Sequence, residues 1–401
     1  MGQSAIIIGA GVIGIASAYA LARRGWRVTI VDRASGPAME TSYANGAQLS
    51  YCYTDALGSP ALLASLPSLM AGKGGVSFRL PMDADYASWL VRFALNCTAG
   101  KFRQNTIAVL NLAAESRLAM DRLREQHTIK FAHRIAGKIH LLYSSKDRRQ
   151  AEVMRALKGA AGCQQQILAR ADLSRLDRAL PGLDTAVTGA ISTPSEEVGD
   201  PLMFSRGLLQ ILIEKYDVTA RFECPVTAIT ALKNGTVVTL ANGDAETADL
   251  AVVASAADSN HLLAPLQHSV PLQPMKGYSF EMPLTGGSPR ISVTDGKRRL
   301  VFTNLGDRMR VAGIAELGNA SREIDPERAH WLVNAARECL ANGGDYAKAG
   351  KFWTGLRPVT PNSQPVIRRA SKTLAINTGH GALGWTLAMG SGERLAELVS
   401  V

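Results

Sequence analysis

Three clusters of residues in this chain have types and spacings that can do chemistry. The first is Gly9-Ala10-Gly11-Val12-Ile13-Gly14, followed 18 residues after Gly14 by Asp32. In such a run the first glycine permits a tight turn, the second lets the backbone approach a pyrophosphate, and the third lets a helix pack close to a strand. The acid accepts hydrogen bonds from an adenosine ribose, and its charge would repel a 2′-phosphate. The second cluster holds a single arginine, Arg357, in Phe352-Trp353-Thr354-Gly355-Leu356-Arg357-Pro358-Val359-Thr360-Pro361. An arginine between Leu and Pro, in what reads as a rigid apolar turn, is poorly placed as a solvated charge. Its planar fork suits a substrate carboxylate, with an internal salt bridge as the alternative. The third is Thr378-Gly379-His380-Gly381-Ala382-Leu383-Gly384-Trp385-Thr386, a glycine loop entering a helical run that extends to Val399. The N-terminal amides of that helix can face an electron-rich group. A histidine in a glycine loop is more often structural than catalytic, so His380 is not nominated as a base.

These residues need elements to position them. Ser4 to Ile8 (SAIII) is a continuous apolar, β-branched run, the pattern of a strand buried on both faces of a parallel sheet. After the glycine turn, small and apolar residues continue at helical spacing to Arg24, Gly25 is placed as a C-terminal cap, and Arg27 to Val31 is a second buried strand ending at Asp32. The order of strand, glycine turn, helix, strand and acid makes dinucleotide binding a specific reading rather than a short-motif match. Ala5 to Ala22 is nearly free of polar side chains. It lacks a basic segment before it, carries Arg23 and Arg24 after it, and has the glycine spacing just described, so a leader peptide or membrane span is rejected. After Asp32 comes the polar, small-residue loop Glu40 to Gln48, where an NAD-binding fold would usually enter its next helix. Such a loop can line a ribityl chain and an extended cofactor, the alternative being an ordinary solvent loop.

Composition bounds the rest. A length of 401 residues with 46% hydrophobic residues implies a sizeable core and two to three domains, and excludes disordered and coiled-coil classes. The formal charge of +10 favours anionic partners. Much of the excess lies between Lys101 and Arg149, where 11 Lys or Arg stand against Glu115, Asp121, Glu125 and Asp147, a surplus of 11 − 4 = +7. No reading helix, zinc finger or aromatic platform accompanies that stretch, so nucleic acid is not expected as a partner. Cys52, Cys97, Cys163, Cys224 and Cys339 are odd in number and widely spaced, which points away from a disulfide framework or a metal site and makes a reducing, cytoplasmic compartment the default. Leu62, Leu63, Leu66, Leu69, Met70, Trp89, Leu90, Phe93 and Leu95, beside the basic stretch, could mark a peripheral contact with the inner face of the cell membrane. Pro67 and Gly72 break any long amphipathic helix, so docking on the chain's own core or on a partner subunit is the favoured alternative.

Seven segments together make the chain resemble the small subunit of bacterial D-amino-acid dehydrogenase, in the superfamily of D-amino-acid oxidase, glycine oxidase and sarcosine oxidase. They are the N-terminal fingerprint, ETSYANGAQLS (Glu40 to Ser50), EEVGDPLMF (Glu196 to Phe204), MKGYSF (Met275 to Phe280), RVAGIAEL (Arg310 to Leu317), FWTGLRPVTP and NTGHGALGWT (Asn377 to Thr386). The likeness covers nearly the whole length. It implies an α/β fold in which a Rossmann-like FAD-binding domain (1–60, 195–260 and 350–401) is interleaved with a substrate domain (61–194 and 261–349) built on a mostly antiparallel sheet. Lys138 to Ser144, Leu272 to Met282, Arg290 to Thr294, Leu300 to Thr303 and Met309 to Ala315 read as strands of that sheet. The resemblance implies FAD as cofactor, held by Gly9, Gly11, Val12, Ile13, Gly14, Asp32, Arg33, Ser42, Asn45, Gly46, Ala47, Gln48, Val226, Ala256 and the loop Gly381, Ala382, Leu383, Gly384, Trp385, Thr386. Relatives commonly carry a glycine near Ala256, which puts the backbone there in question. The arginine of GLRP, here Arg357, grips the substrate carboxylate in the family; Tyr278 and Tyr53 are candidates to bond the carboxylate or shape its pocket, each also readable as a core or rim tyrosine. The implied activity is oxidative deamination of D-amino acids to 2-keto acids and ammonia, with electrons passed to a quinone or another non-oxygen acceptor. The alternatives are a flavin enzyme acting on glycine, D-proline, hydroxyproline or an opine, an oxidase producing hydrogen peroxide, and a non-catalytic subunit that holds the flavin.

Overall fold

The computed structural model describes residues 2–63, 75–78 and 83–400. The N-terminal unit forms as its sequence pattern requires, with strand Ser4–Ile8, helix Val12–Ala22 and strand Arg27–Val31. Ser4–Ile8 pairs in parallel with Arg27–Val31 on one side and with Leu250–Val253 on the other. Thr219–Arg221 extends the sheet beyond Arg27–Val31, and Leu374–Thr378 followed by Val366–Arg369 extends it at the opposite edge. Only the last pairing is antiparallel. The β-branched residues of the central strands are buried on both faces, as a sheet covered on two sides demands.

Helix Val12–Ala22 shares one apolar cluster with helices Ala99–Gln126 and Gly384–Val399, through Ile15, Leu21, Leu112, Leu123 and Leu395. The close approach has a local cause. A Cβ on Gly14 would fall on the Gly9 carbonyl, and one on Gly390 would lie 2.9 Å from the Leu112 carbonyl oxygen. Helix Ala99–Gln126 was expected within the substrate unit; it lies instead against the parallel sheet's helices, because its buried stripe of Val109, Leu112, Ala113, Met120 and Leu123 matches theirs.

The second large sheet runs in the order Gly350–Val359, Gln273–Pro283, Arg308–Leu317, Leu300–Asn304, Ser292–Asp295, Lys138–Leu142, Gly189–Thr193, Gln166–Ala169, with Val76–Phe78 added to Arg308–Leu317. All five strands expected from the sequence are in it. Two pairings are parallel, Ser292–Asp295 with Lys138–Leu142 and Val76–Phe78 with Arg308–Leu317, and the rest are antiparallel. The expected boundary at residue 350 falls at the start of a strand of this sheet. The segment read as a rigid turn, Phe352 to Pro361, is mostly that strand. It tolerates Pro358 because it lies at the sheet edge, and Pro358 stands opposite Pro274.

Three further expectations meet the structure here. Leu62, Trp89 and Phe93 are buried in one cluster with Met275, Leu317 and Val359, so this part of the Leu-rich region docks on the chain's own core. Leu66, Pro67, Leu69, Met70 and Gly72 lie outside the described residues. Among the described residues no helix is long and apolar enough to cross a membrane. The cysteine reading is corrected: Cys52 and Cys163 form a disulfide, with Cα atoms 5.8 Å apart and a sequence separation of 111, while Cys97, Cys224 and Cys339 are free. No spacing rule could reveal a pair that only tertiary folding brings together. The support that cysteine usage gave to a reducing compartment is thereby removed.

A crosslink closing a loop of this length removes about 4–5 kcal/mol of chain entropy from the unfolded state. Thiol titration in denaturant without reductant should find the three free cysteines, and five after reduction. Cys163→Ser should lower the melting temperature by several degrees; an unchanged melting temperature would show that the bridge does not constrain the fold.

Candidate functional site

One cavity of about 660 Å³ lies between the two sheets. Ile8, Val31, Ala254 and Thr378, at or just beyond the carboxyl ends of four parallel strands, open onto it, which is where a parallel α/β sheet places its ligands. Gly9 has φ +109°, and a Cβ there would stand 2.7 Å from the Ala254 carbonyl oxygen, so only glycine allows this turn. The amide of Val12 donates to Ser42 Oγ at 3.2 Å, tying the helix start to the loop that follows the second strand. The two carboxylate oxygens of Asp32 accept the Ala10 amide (2.6 Å) and the Ala34 amide (2.8 Å). Each oxygen keeps a further acceptor position for a ligand hydroxyl. Arg33 is ion-paired with Glu40 and with Asp258, the latter at 2.7 Å.

The loop from Asn45 to Gln48 is shaped by its own polar atoms and by the second sheet. Asn45 Oδ1 accepts the Ala47 amide at 2.9 Å, Ala47 takes φ +54°, and Thr303 Oγ1 donates to the Gly46 carbonyl at 2.7 Å. Gln48 Nε2 donates to Ser292 Oγ. At the other end of the chain, the turn Gly381–Leu383 leads into helix Gly384–Val399, and Gly381 to Thr386 all border the cavity. Two of their side chains are already committed: Trp385 Nε1 donates to the Gly199 carbonyl at 3.0 Å, and Thr386 Oγ1 accepts the Ser50 amide at 3.0 Å. What this loop offers a ligand is therefore backbone and surface. His380 is buried against Ser391 (Nε2 to Oγ, 2.8 Å), and burial pulls it down to about 3, so it is neutral and structural. Val226 lines the cavity from its own strand. Ala256 holds the left-handed conformation, φ +51°, that a glycine would adopt without strain, and its carbonyl accepts from Ser259 Oγ (2.8 Å) and Thr378 Oγ1 (3.1 Å).

Arg357 faces the same cavity from the edge strand of the second sheet. Its Nη1 donates to the Ile314 carbonyl at 2.9 Å, and among the described residues no carboxylate pairs with it, so the internal salt bridge is not formed. Burial alone pulls its guanidinium down to about 10, which leaves it charged at neutral pH. The guanidinium lies over Gly277, where any Cβ would collide with it.

The two tyrosines border the same cavity as Arg357 without bonding to it. Met275 stands opposite Arg357 and Gly277 opposite Gly355, so the odd-numbered positions of this strand face the arginine. Alternation turns Tyr278 to the other face, where it is buried with Phe280 and Leu332, with Lys276 Nζ 5.0 Å from its ring centre. Tyr278 also borders the cavity, although its ring packs in this cluster. Tyr53 borders the cavity too, and its ring stacks on His140 (5.2 Å, 12°) beneath Lys138 Nζ at 4.5 Å. Sequence reasoning missed these neighbours. Lys138 and His140 share a strand face at i and i+2, a polar pair that alternation in KIHLL could have exposed. Lys138 Nζ donates to buried Ser50 Oγ at 2.8 Å and burial lowers its pKa, while His140 is brought down to about 4 by burial and by nearby Lys138. Glu196, also missed, accepts the Cys52 amide at 2.7 Å, and burial raises its pKa.

Residues 4–398 match the DAO family, described as FAD dependent oxidoreductase. The chain belongs to this family. It is 35% identical to the D-amino acid dehydrogenases of Paramagnetospirillum magneticum and of Allorhizobium ampelinum, the matches covering 98% of this chain and 94% of each relative. Among solved structures it is similar to glycine oxidase from Geobacillus kaustophilus, with TM-score 0.76, 19% identity, and coverage of 99% of this chain and 95% of that one. That last likeness concerns the fold. The cavity fits the family's cofactor: a cradle only glycine can form lies beside Asp32, and one continuous space joins it to the Gly381–Thr386 loop.

Gly277 offers a direct check on the arginine's position. Gly277→Ala should leave the bound flavin spectrum intact while displacing Arg357 and cutting kcat/KM for substrate about 100-fold; wild-type kcat/KM would show that the guanidinium does not need this space.

Proposed function

We propose that this chain is an FAD-dependent D-amino-acid dehydrogenase, with a Rossmann-like FAD-binding domain around the parallel strands and a substrate domain on the mostly antiparallel sheet. It converts D-amino acids to 2-keto acids and ammonia, and its electrons leave to a quinone or another non-oxygen acceptor. The observation that carries the reading is Arg357, a charged guanidinium beside a large cavity with no carboxylate of its own. The names of the relatives that are 35% identical over nearly the full length support the substrate class and its handedness.

Gly9, Gly11, Val12, Ile13, Gly14, Asp32, Ser42 and Val226 would hold the nucleotide half of FAD. The loops Asn45 to Gln48 and Gly381 to Thr386 would hold the ring. When bound, FAD supplies the acceptor for the hydride leaving the substrate Cα. Arg357 binds the carboxylate and fixes the orientation of Cα, converting an encounter into a positioned reaction. Water then hydrolyses the imine product, replacing its nitrogen with oxygen and releasing ammonia. The substrate amine must be neutral before Cα can give up a hydride, and no side-chain base is required.

Anaerobic addition of D- and L-amino acids to the yellow holoenzyme tests this. Bleaching by D-amino acids, and turnover with a quinone or dye without hydrogen peroxide, are the expected results; bleaching by L-amino acids alone would overturn it. Arg357→Ala should retain FAD and lose about 100-fold or more in kcat/KM, since a charge-assisted bond in a dry site is worth about 3 kcal/mol. The pH profile of kcat/KM should rise from neutrality as the substrate amine loses its proton. A profile that is flat from neutrality upward would remove amine deprotonation from the reaction.

A further inference from the structure

The register of the second sheet places three apolar side chains in line with Arg357. Arg357 stands opposite Met275, Met275 opposite Leu317, and Leu317 opposite Phe78, on four adjacent strands. Residues directly opposite one another in adjacent strands project to the same face. All four border the cavity. With neighbouring strands about 4.8 Å apart, the row extends roughly 14 Å from the guanidinium, longer than any amino-acid side chain. One step along the same face, Ala315 stands opposite Val76, and both also border the cavity.

The polar residues between these positions are turned away. Lys276 and Glu316 alternate to the far face, where Glu316 accepts from Arg328 Nε and Asn319 Nδ2, each at 2.8 Å. Lys276 Nζ donates there to the Glu323 carbonyl. The face beside Arg357 therefore presents one cation followed only by apolar groups. The described basic groups of the cavity other than Arg357 lie on other elements: Lys138 and His140 on one strand, Arg299 before Leu300–Asn304, Arg33 after Arg27–Val31 and His261 in the short helix Ser259–Leu263.

We propose that Met275, Leu317 and Phe78 form the subsite for the substrate's side chain and select neutral apolar amino acids. This rests on Arg357 as the carboxylate anchor. A carboxylate held by Arg357 leaves the Cα substituent to lie along the row. A methionine, leucine or phenylalanine side chain there buries apolar area against apolar area, whereas the charge of a glutamate or lysine side chain would be desolvated without a partner.

The test measures kcat/KM of the holoenzyme for alanine, leucine, methionine, phenylalanine, glutamate and lysine of the active handedness. The proposal expects the best of the three larger apolar substrates to exceed alanine by about 10-fold and both charged substrates by about 100-fold. A charged substrate within about 10-fold of the best apolar one would overturn the subsite while leaving the dehydrogenase reading intact. If no amino acid of either hand bleached the flavin, both would fall. Leu317→Lys adds an internal comparison, because a ratio cancels general damage to the enzyme. In flavin-loaded protein the glutamate-to-methionine ratio of kcat/KM should rise about 10-fold or more. An unchanged ratio overturns the assignment, and if the variant does not load flavin the wild-type panel alone decides.

Discussion

A half-buried guanidinium that stays charged at neutral pH calls for an anion, and the strands around Arg357 accommodate that requirement. Desolvation without a compensating charge is costly, and among the described residues Arg357 donates to one backbone carbonyl alone. Three features make the arrangement tolerable. The arginine sits on an edge strand whose neighbour contributes a bare glycine at the point of contact. Ile314, at φ +63°, turns its carbonyl to one arm of the fork. The cavity in front is large enough to admit the missing partner. On the proposed reading, such a site favours ligands that carry a carboxylate, because any other leaves the charge unpaired.

The same sheet also sets the shape of the loop expected to touch the cofactor. Side chains from its strands bond to backbone atoms of that loop: Ser279 Oγ donates to the Ala44 carbonyl at 2.6 Å, and Thr303 Oγ1 to the Gly46 carbonyl at 2.7 Å. In return Thr41 Oγ1 donates to the Leu356 carbonyl, next to Arg357, at 2.8 Å. Asp200 strengthens the joint. One of its oxygens caps helix Pro201–Tyr216 through the Leu202 amide (2.9 Å), and the other accepts Arg308 (2.6 Å) and Arg310 (2.9 Å) from the sheet. The two halves are therefore not independent modules that meet at a cleft. Movement of one would displace the loop that lines the other.

How much of this was legible in the sequence follows from which forces are local. Ser4–Ile8 and Arg27–Val31 were readable to the residue, because continuous β-branched runs, a glycine turn and a cap are all contained in one short segment. The five substrate-sheet strands were readable for the same reason. Arg357 stands out in the sequence, but the prolines after it read as a turn, since proline normally excludes a strand and its tolerance here comes from an edge position that only the assembled sheet defines. Tyr278 borders the cavity, but alternation turns its ring away from Arg357, because Gly277 takes the face beside the arginine. Lys138, Glu196 and the Cys52–Cys163 bridge come from segments far apart in the chain, and no local pattern joins them.

The charge surplus takes on a different meaning once pairing is considered. Of the acids at the cavity, Glu40 and Asp258 are bound to Arg33, Asp295 is bound to Arg298 at 3.0 Å, and Asp32 is engaged by two amides. Among the described residues, no carboxylate lies within ion-pair distance of Lys138, Arg299 or Arg357. These three cations therefore border the cavity without a carboxylate of their own, whatever the net charge of the surface. A pyrophosphate and a carboxylate are the two anions that the proposed reaction brings to this space. Lys138 belongs to the basic stretch from Lys101 to Arg149, so that stretch contributes to the cavity through one buried residue. Its other charges are carried largely by helix Ala99–Gln126 and by the helix Ser145–Gly159, neither of which borders the cavity. What the +10 balance signals about ligands comes down to a few unpaired cations, whose positions are set by strand alternation and not by composition.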